Sequence, residues 1–364
     1  MKSSKPVSLD LDNRNYLKFF TNTIVWLLKN LLRIFAKSGD GVTVISFSNI
    51  GDTVFTIPAL KKLSKIDGCG RITLVTQSNM KFILQKEFPD FGFIFVEKSD
   101  FILGGKFPST GLIKKTRALR NGTTISFSVN PQSIFLMLFS GGNKFYGIAR
   151  EAYKKAFDNS HLLTMKSHLS DIYFDAVNSF KKVDREIADY GFPLSITKGD
   201  EVIITPFTGW DAKMWGIENM IELADRLNKD RVVNFVVEKG KLENRYMEDL
   251  KLRGIKVTEP AHISEYEQLL KNAALLIGND TGPVYIARYY GIPTIAIFGP
   301  TNPDYCRHNG EEHIMIYKVL DCSPVDEQYC KFDAGRTCPH RNCLQTITVE
   351  EVEFKVLSIL EKQS

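Results

Sequence analysis

Residues 274–301, ALLIGNDTGPVYIARYYGIPTIAIFGPT, read as a buried strand, a turn, a helix and a second strand. Leu275, Leu276 and Ile277 make a short apolar run that ends at Gly278. Asp280, Thr281 and Gly282 then lead into Pro283, whose fixed φ and missing N–H suit the first position of a helix. That helix is expected to run to Tyr290 and stop at Gly291. A helix starting just past a strand aims its first N–H groups and the positive end of its dipole at whatever lies above the strand, a setting that suits phosphate. Asp280 does not suit a pure anion site, because a carboxylate beside bound phosphate is unfavourable. It is expected to accept hydrogen bonds from sugar hydroxyls; the alternative is that Asp280 or Thr281 only caps the helix.

Outward from this segment, short apolar runs alternate with helical patterns from residue 42 onward, the mark of a parallel α/β sheet. Strands are expected near 42–47, 71–76, 93–96 and 123–129, and again near 201–205, 232–237, 275–277 and 294–298. Residues 190–200 carry Gly, Pro, Ser and Thr with little periodicity and read as a linker. At 364 residues the chain exceeds the size at which one core keeps growing, so two domains follow, 41–189 and 201–347. The last helix, within 348–364, opens on a capping box from Thr348 to Glu351 and places Val349, Val352, Val356, Ile359 and Leu360 on one face. Apolar residues at 43% and charged residues at 24% are ordinary globular usage. The net charge of +5 comes without a dense Lys/Arg tract interleaved with aromatics, which argues against nucleic acid and for an anionic substrate or membrane surface.

Residues 1–40 form a separate extension. The segment 16–36 is rich in Leu, Ile, Phe and Trp, yet its longest unbroken apolar run, 24–28, is much shorter than the ~18 residues a membrane span needs. It lacks a small-residue cleavage site, which counts against a signal peptide. At 100° per residue, Lys18, Asn22, Lys29 and Arg33 fall on one narrow stripe, with Leu17, Phe20, Ile24, Leu27, Leu28, Leu31 and Phe35 on other faces. The pattern is a basic amphipathic helix. Its two readings are an anchor on anionic lipid, held by the basic stripe, and a helix packed on protein.

Three motifs in order then resemble one family. The segment NDTGPVYIARYYGIPTIAIFGPTNP is similar to the D-[ST]-G-P signature, ending in F-G-P-T-x-P, of the ADP-heptose:lipopolysaccharide heptosyltransferases, glycosyltransferase family nine. Upstream, FSNIGDTVFTIPALKKL resembles that family's S-x-x-G-D opening, and PFTGWDAKMWGIENMIEL resembles its Thr and Lys-x-Trp segment for donor phosphate. Tyr285 stands where the family often has His, and Ser128 where it commonly has Asp. The family usually opens directly on its first strand, which this chain does not. The resemblance implies a GT-B fold, two Rossmann-like domains facing across a cleft, with the last helix crossing back to the first domain. It implies an inverting enzyme, with no cofactor and no divalent metal, that uses an ADP-sugar, a heptose, and a lipopolysaccharide or lipooligosaccharide core acceptor at the cytoplasmic face of the inner membrane. The alternatives are another nucleotide sugar on the same fold, or a membrane-associated sugar-nucleotide-binding protein without turnover.

Glycosyl transfer needs a base for the acceptor hydroxyl and positive charge for the departing diphosphate. Asp52, at a strand-to-helix turn behind Gly51, matches the family's base; otherwise it is a helix cap. Lys213 is the candidate for leaving-group charge, with the Thr208 hydroxyl beside it, and Thr281, Gly282 and Pro283 form the helix mouth. Glu243 resembles the carboxylate that holds the donor ribose, with Glu238 as its rival. His168 matches a family His near the linker, and a structural role is the commoner one for a lone His. Lys114, Lys115, Arg117 and Arg120 are expected to form a basic helix face beside the cleft for the acceptor's anionic groups; solvated surface charge is the alternative. Cys322, Cys330, Cys338 and Cys343 cluster around His340 without paired C-x-x-C units, leaving zinc ligation and free thiols in a reducing cytoplasm as the two readings.

Overall fold

The computed structural model describes residues 15–36, 39–164, 167–185, 199–308 and 310–362. The chain divides into two compact units, Met1–Arg185 and Glu186–Ser364. Of the linker read at 190–200, all but the last two residues lie outside the described residues.

In the first unit, helix α1 (Asn15–Arg33) precedes β1 (Val42–Ser46), α2 (Ile50–Ser64), β2 (Ile72–Gln77), α3 (Lys81–Glu87) and β3 (Gly92–Val96). A small antiparallel hairpin, β4 (Phe101–Ile102) and β5 (Phe107–Pro108), leads to α4 (Thr110–Ala118), β6 (Thr123–Ser126), α5 (Pro131–Phe139), β7 (Lys144–Ala149), β8 (Asn159–Leu162) and α6 (Leu169–Phe180). The six-stranded sheet runs β3-β2-β1-β6-β7-β8, parallel throughout. VTVIS of β1 is wholly buried, as a central strand covered on both faces must be.

The second unit repeats the plan. Its elements are β9 (Glu201–Thr205), α7 (Ile217–Leu227), β10 (Val232–Val236), α8 (Asn244–Leu252), β11 (Lys256–Thr258), α9 (Ile263–Lys271), β12 (Ala273–Asn279), α10 (Gly282–Tyr289), β13 (Thr294–Ile297), β14 (His313–Ile316), α11 (Asn342–Gln345) and α12 (Val349–Glu361). The sheet order is β11-β10-β9-β12-β13-β14, again parallel. Each unit therefore has the doubly wound order in which connections leave the first strand in opposite directions, opening a crevice at the strands' carboxyl ends beside β1 and beside β9.

Helix α12 buries Val349, Val352, Val356, Ile359 and Leu360 in the second unit's own core, where the resemblance implies a return to the first domain. Thr348 Oγ1 accepts from Glu351 N at 3.2 Å, while the Glu351 carboxylate turns to Lys318 Nζ at 2.9 Å. Half of the expected capping box is therefore formed, and Lys318 takes the other half.

Helix α1 shows which of its faces meets the protein. The polar stripe faces the protein: Asn22 Nδ2 donates to Glu151 O at 2.6 Å, and Lys29 Nζ donates to Phe157 O at 2.8 Å and Asp158 Oδ1 at 3.5 Å. The Arg33 guanidinium donates to both Asp158 oxygens. Val25 is buried beside them, with Leu28 and Leu32 packed on the same core. A stripe of cations went inward because a carboxylate waited there. Burial opposes charge on Asp158, but the hydrogen bonds from Arg33 and Phe145 N and the charges of Lys29 and Arg33 outweigh it and hold the carboxyl below its ordinary range. The stability this contributes is complete above the ordinary aspartate value of 3.8 and is lost as pH falls through the depressed one. Asp158→Asn is expected to cost about 1.5–3 kcal/mol at neutral pH, measured by denaturant unfolding. A change within about 0.5 kcal/mol, the ordinary range for a surface substitution, would show that the stripe does not hold α1.

Candidate functional site

In the second unit the crevice beside β9 gathers the donor-site candidates. After β9 the chain turns through 206–210 into a single 3₁₀ turn, Asp211–Lys213, and the end of β12 lies alongside. Asn279 joins the two: its Nδ2 donates to Pro206 O at 2.7 Å and its Oδ1 accepts from Trp215 N at 3.0 Å. Gly278 allows the close approach, since a Cβ there would lie 2.5 Å from Thr205 Oγ1.

These contacts set Lys213 directly against Asp280 in a buried ion pair. The ammonium also sits 4.7 Å from the centre of the Trp210 ring. Asp280 accepts from Thr301 Oγ1 at 2.6 Å and from the Tyr285 hydroxyl. Burial opposes its charge, yet the Lys213 charge and the hydrogen bonds from Lys213, Thr301 and Tyr285 prevail and keep the carboxyl below its ordinary range. The carboxylate read as a partner of sugar hydroxyls is thus occupied by its own chain. Tyr285, in the family's His position, also meets Cys306 Sγ at 2.8 Å. Behind it the buried Arg288 donates to Cys306 O at 3.2 Å and Thr294 Oγ1 at 3.1 Å. Thr301, Cys306 and Arg288 are partners that the sequence reading missed. Of the three, Thr301 carries a signal, as the Thr of the quoted GPT motif.

Helix α10 opens beside the pair. Thr281 takes the N-cap position in extended conformation with no side-chain cap bond, and Pro283 stands in the first turn. Neither Asp280 nor Thr281 caps the helix, so its mouth stays open, with Thr281, Gly282 and Pro283 half-buried around it. Thr208 departs from expectation. Its hydroxyl donates to Trp210 O at 2.6 Å and shapes its own loop. Glu243 stands at the N-cap of α8, largely exposed and paired with Arg245 at 2.9 Å, and Glu238 pairs with Lys241 at 2.7 Å.

In the first unit, β1 delivers Gly51 and Asp52 to the crevice edge. Asp52 lies half-buried in the first turn of α2, where Asn49 occupies the cap position and its Nδ2 donates to Asp52 Oδ2 at 3.4 Å. The approach loop is held by Ser128, whose Oγ accepts from Phe47 N at 2.7 Å, and by Ser48, whose Oγ is 3.2 Å from the Tyr173 hydroxyl. His168 caps α6, accepting from Ser170 N at 3.2 Å, and meets Phe55 edge-on, one turn along α2 from Asp52.

The four basic residues are spread along one helix and past its end. Lys114, Lys115 and Arg117 lie on α4 and Arg120 beyond its end, in left-handed conformation at φ 56°. Helix α4 descends toward the start of β6, and Thr123 there pairs with Val42, the first residue of β1. Arg117 donates to Phe35 O at 3.2 Å. Arg117 and Arg120 therefore sit at the sheet edge opposite Asp52, because a crossover helix returns the chain to the amino end of the next strand.

The four clustered cysteines line one small cavity with His340 and Arg341. All are free thiols, and burial with the neighbouring thiols pushes Cys343 up to about 11. Among the described residues no group of three or more His, Cys, Asp or Glu is arranged to hold a metal ion.

The chain is similar to known proteins over most of its length. A curated relative, lipooligosaccharide heptosyltransferase 2 of Campylobacter jejuni, is 23% identical over 326 residues, covering 86% of this chain and 96% of the relative. The glycosyl transferase family 9 structure from Veillonella parvula superposes with a TM-score of 0.70 at 17% identity, covering 88% of this chain and 97% of that one. The E. coli heptosyltransferase WaaC with ADP-2-deoxy-2-fluoro heptose gives a TM-score of 0.62 at 16% identity, covering 87% and 99%. These structural likenesses show the GT-B fold. The model of glycosyltransferase family 9 (heptosyltransferase) matches residues 152–334, half of the chain, and with its three motifs in order the chain belongs to that family.

Proposed function

We propose that the protein is an inverting glycosyltransferase that moves heptose from ADP-heptose to a lipopolysaccharide or lipooligosaccharide core acceptor at the cytoplasmic face of the inner membrane. The relatives' names support the sugar and the acceptor class. The observation that carries the donor half is the convergence of the Lys213 ammonium and the open mouth of α10 in one crevice. Both supply positive potential where a diphosphate develops charge as the glycosidic bond breaks. In this reading the diphosphate shares the ammonium with Asp280, which keeps its Thr301 and Tyr285 hydrogen bonds and fixes where Lys213 points. Asp52 takes the acceptor proton from the other unit's crevice edge. Glu243 or Glu238, on the same carboxyl-end edge of the second sheet, is free to turn to the ribose because each is held only by an exposed ion pair.

Since protein groups supply the countercharge, ADP is expected to bind in calorimetry with no divalent ion added. Strict dependence on Mg²⁺ or Mn²⁺ would contradict the metal-free mechanism.

A further inference from the structure

With its polar stripe turned inward, α1 presents its apolar side outward. Nine of the nineteen exposed large hydrophobic residues among the described residues lie on α1 and the turn after it, including Phe20, Ile24, Leu27, Leu31, Ile34 and Phe35. Phe20 is 61% and Ile34 74% exposed. Five of the nine are aromatic, each carrying about 150–250 Å², and with all nine about half exposed or more the patch is on the order of 1,000 Å². The largest patch on an ordinary monomer is roughly 300–600 Å². No helix among the described residues is long and apolar enough to cross a membrane.

We infer that α1 is an interfacial helix which enters one leaflet of an anionic phospholipid bilayer by this apolar face. Charge selects lipid over a second copy of the chain. Residues 15–36 hold three cations and no carboxylate. Exposed Lys154 and Lys155 border the helix where Asn22 accepts from Lys155 N at 2.9 Å, with Glu151 as the opposing charge there. Exposed Lys114 and Lys115 border its other end, on the helix whose Arg117 holds Phe35 O. A two-fold contact through this face would bring two cationic rims together, whereas a bilayer of anionic headgroups meets both the ridge and its rims. Trp26, with a polar N–H on its ring, lies on the side of the face next to the polar stripe, where the headgroup layer would be. The inference stands on this surface alone and extends the proposed membrane location to a specific contact. The residues that bind lipid in it are the apolar ones. Lys29 and Arg33, consumed by Asp158, hold the helix to the protein.

The test is co-sedimentation of the full chain with vesicles of phosphatidylcholine containing phosphatidylglycerol, and with phosphatidylcholine alone. Wild type is expected to bind the mixed vesicles and to bind the neutral ones less. The variant carrying Phe20→Ser, Ile24→Ser, Leu27→Ser and Leu31→Ser changes only exposed side chains and is expected to lose about tenfold or more in partitioning, with its thermal unfolding unchanged. Lys114→Gln with Lys115→Gln, Lys154→Gln and Lys155→Gln is expected to lose only the preference for anionic vesicles. Failure of wild type to bind, or binding by the serine variant equal to wild type, overturns the inference. So does a wild-type dimer in analytical ultracentrifugation that the serine variant dissolves without any vesicle binding. None of these readouts uses donor or acceptor, so their failure is distinct from failure of the proposed reaction.

Discussion

Asp52→Asn is expected to slow transfer by about 10²–10⁴-fold at saturating donor, roughly 3–5 kcal/mol of barrier, because the amide keeps the size of the side chain and loses the lone pair that takes the acceptor proton. The structure sharpens this test by giving the cap position to Asn49. Asp52 lies past the cap position and an Asn there keeps an oxygen to accept from Asn49 Nδ2, so unfolding of the variant should stay close to wild type while turnover falls. Donor affinity should hold as well, since the donor groups belong to the second unit. Turnover above about a tenth of wild type, with chemistry rate-limiting, would remove Asp52 from the role of base.

Lys213→Ala is expected to act on stability and on function at once. It leaves Asp280 buried without its counterion, and breaking a buried pair from one side costs roughly 3–5 kcal/mol. In a unit of this size that lowers the unfolding midpoint on the order of 10 °C. The pH dependence follows from the same geometry. Wild-type Asp280 is held below its ordinary value of 3.8, so its contribution is present above that pH and lost as pH falls through the depressed value. In the variant burial acts unopposed by the ammonium and the carboxyl is raised, so the deficit is largest at neutral pH and shrinks as acid protonates Asp280. Adding Asp280→Asn to the variant removes the unpaired charge and should recover much of the stability. Donor binding, followed by calorimetry with ADP, should remain weak in both. Wild-type affinity in the double variant would show that the ammonium has no part in holding phosphate.

Most of the strands legible in the sequence are buried ones, where VTVIS, EVIIT and TIAI leave no other reading, and the half-buried edge strand β3 was legible through its run of Phe, Ile and Val. Besides the two-residue hairpin strands β4 and β5, four strands escaped. Three of them, β8, β11 and β14, stand at sheet edges, where NSHL and KVT need little apolar surface and four residues of HIMI are too few to declare a period. The fourth, β7, is broken in the middle by Gly147, whose φ of 138° and missing Cβ let it pass Ser126. At the site, the turn chemistry around Pro283 and Gly291 announced helix α10 to within a residue. The Lys213–Asp280 pair was hidden, although both residues had been singled out. Nothing local relates positions so far apart; a parallel sheet with its crossover does. Helix α1 was legible as an amphipathic helix, but periodicity separates two faces without saying which one meets the protein. Asp158 decided that, from a loop with no period of its own.

The pairing of β9 with β12 has a temporal consequence. Val202 pairs with Leu275 on the neighbouring strand of the sheet, so the loop between them must be closed, and the intervening strands and helices laid down, before Lys213 and Asp280 can meet. Contacts of such sequence separation carry their entropic cost early and return their energy late. The Lys213–Asp280 pair comes into being with the finished sheet, so its formation during refolding reports completion of the whole unit and not the order of any one loop.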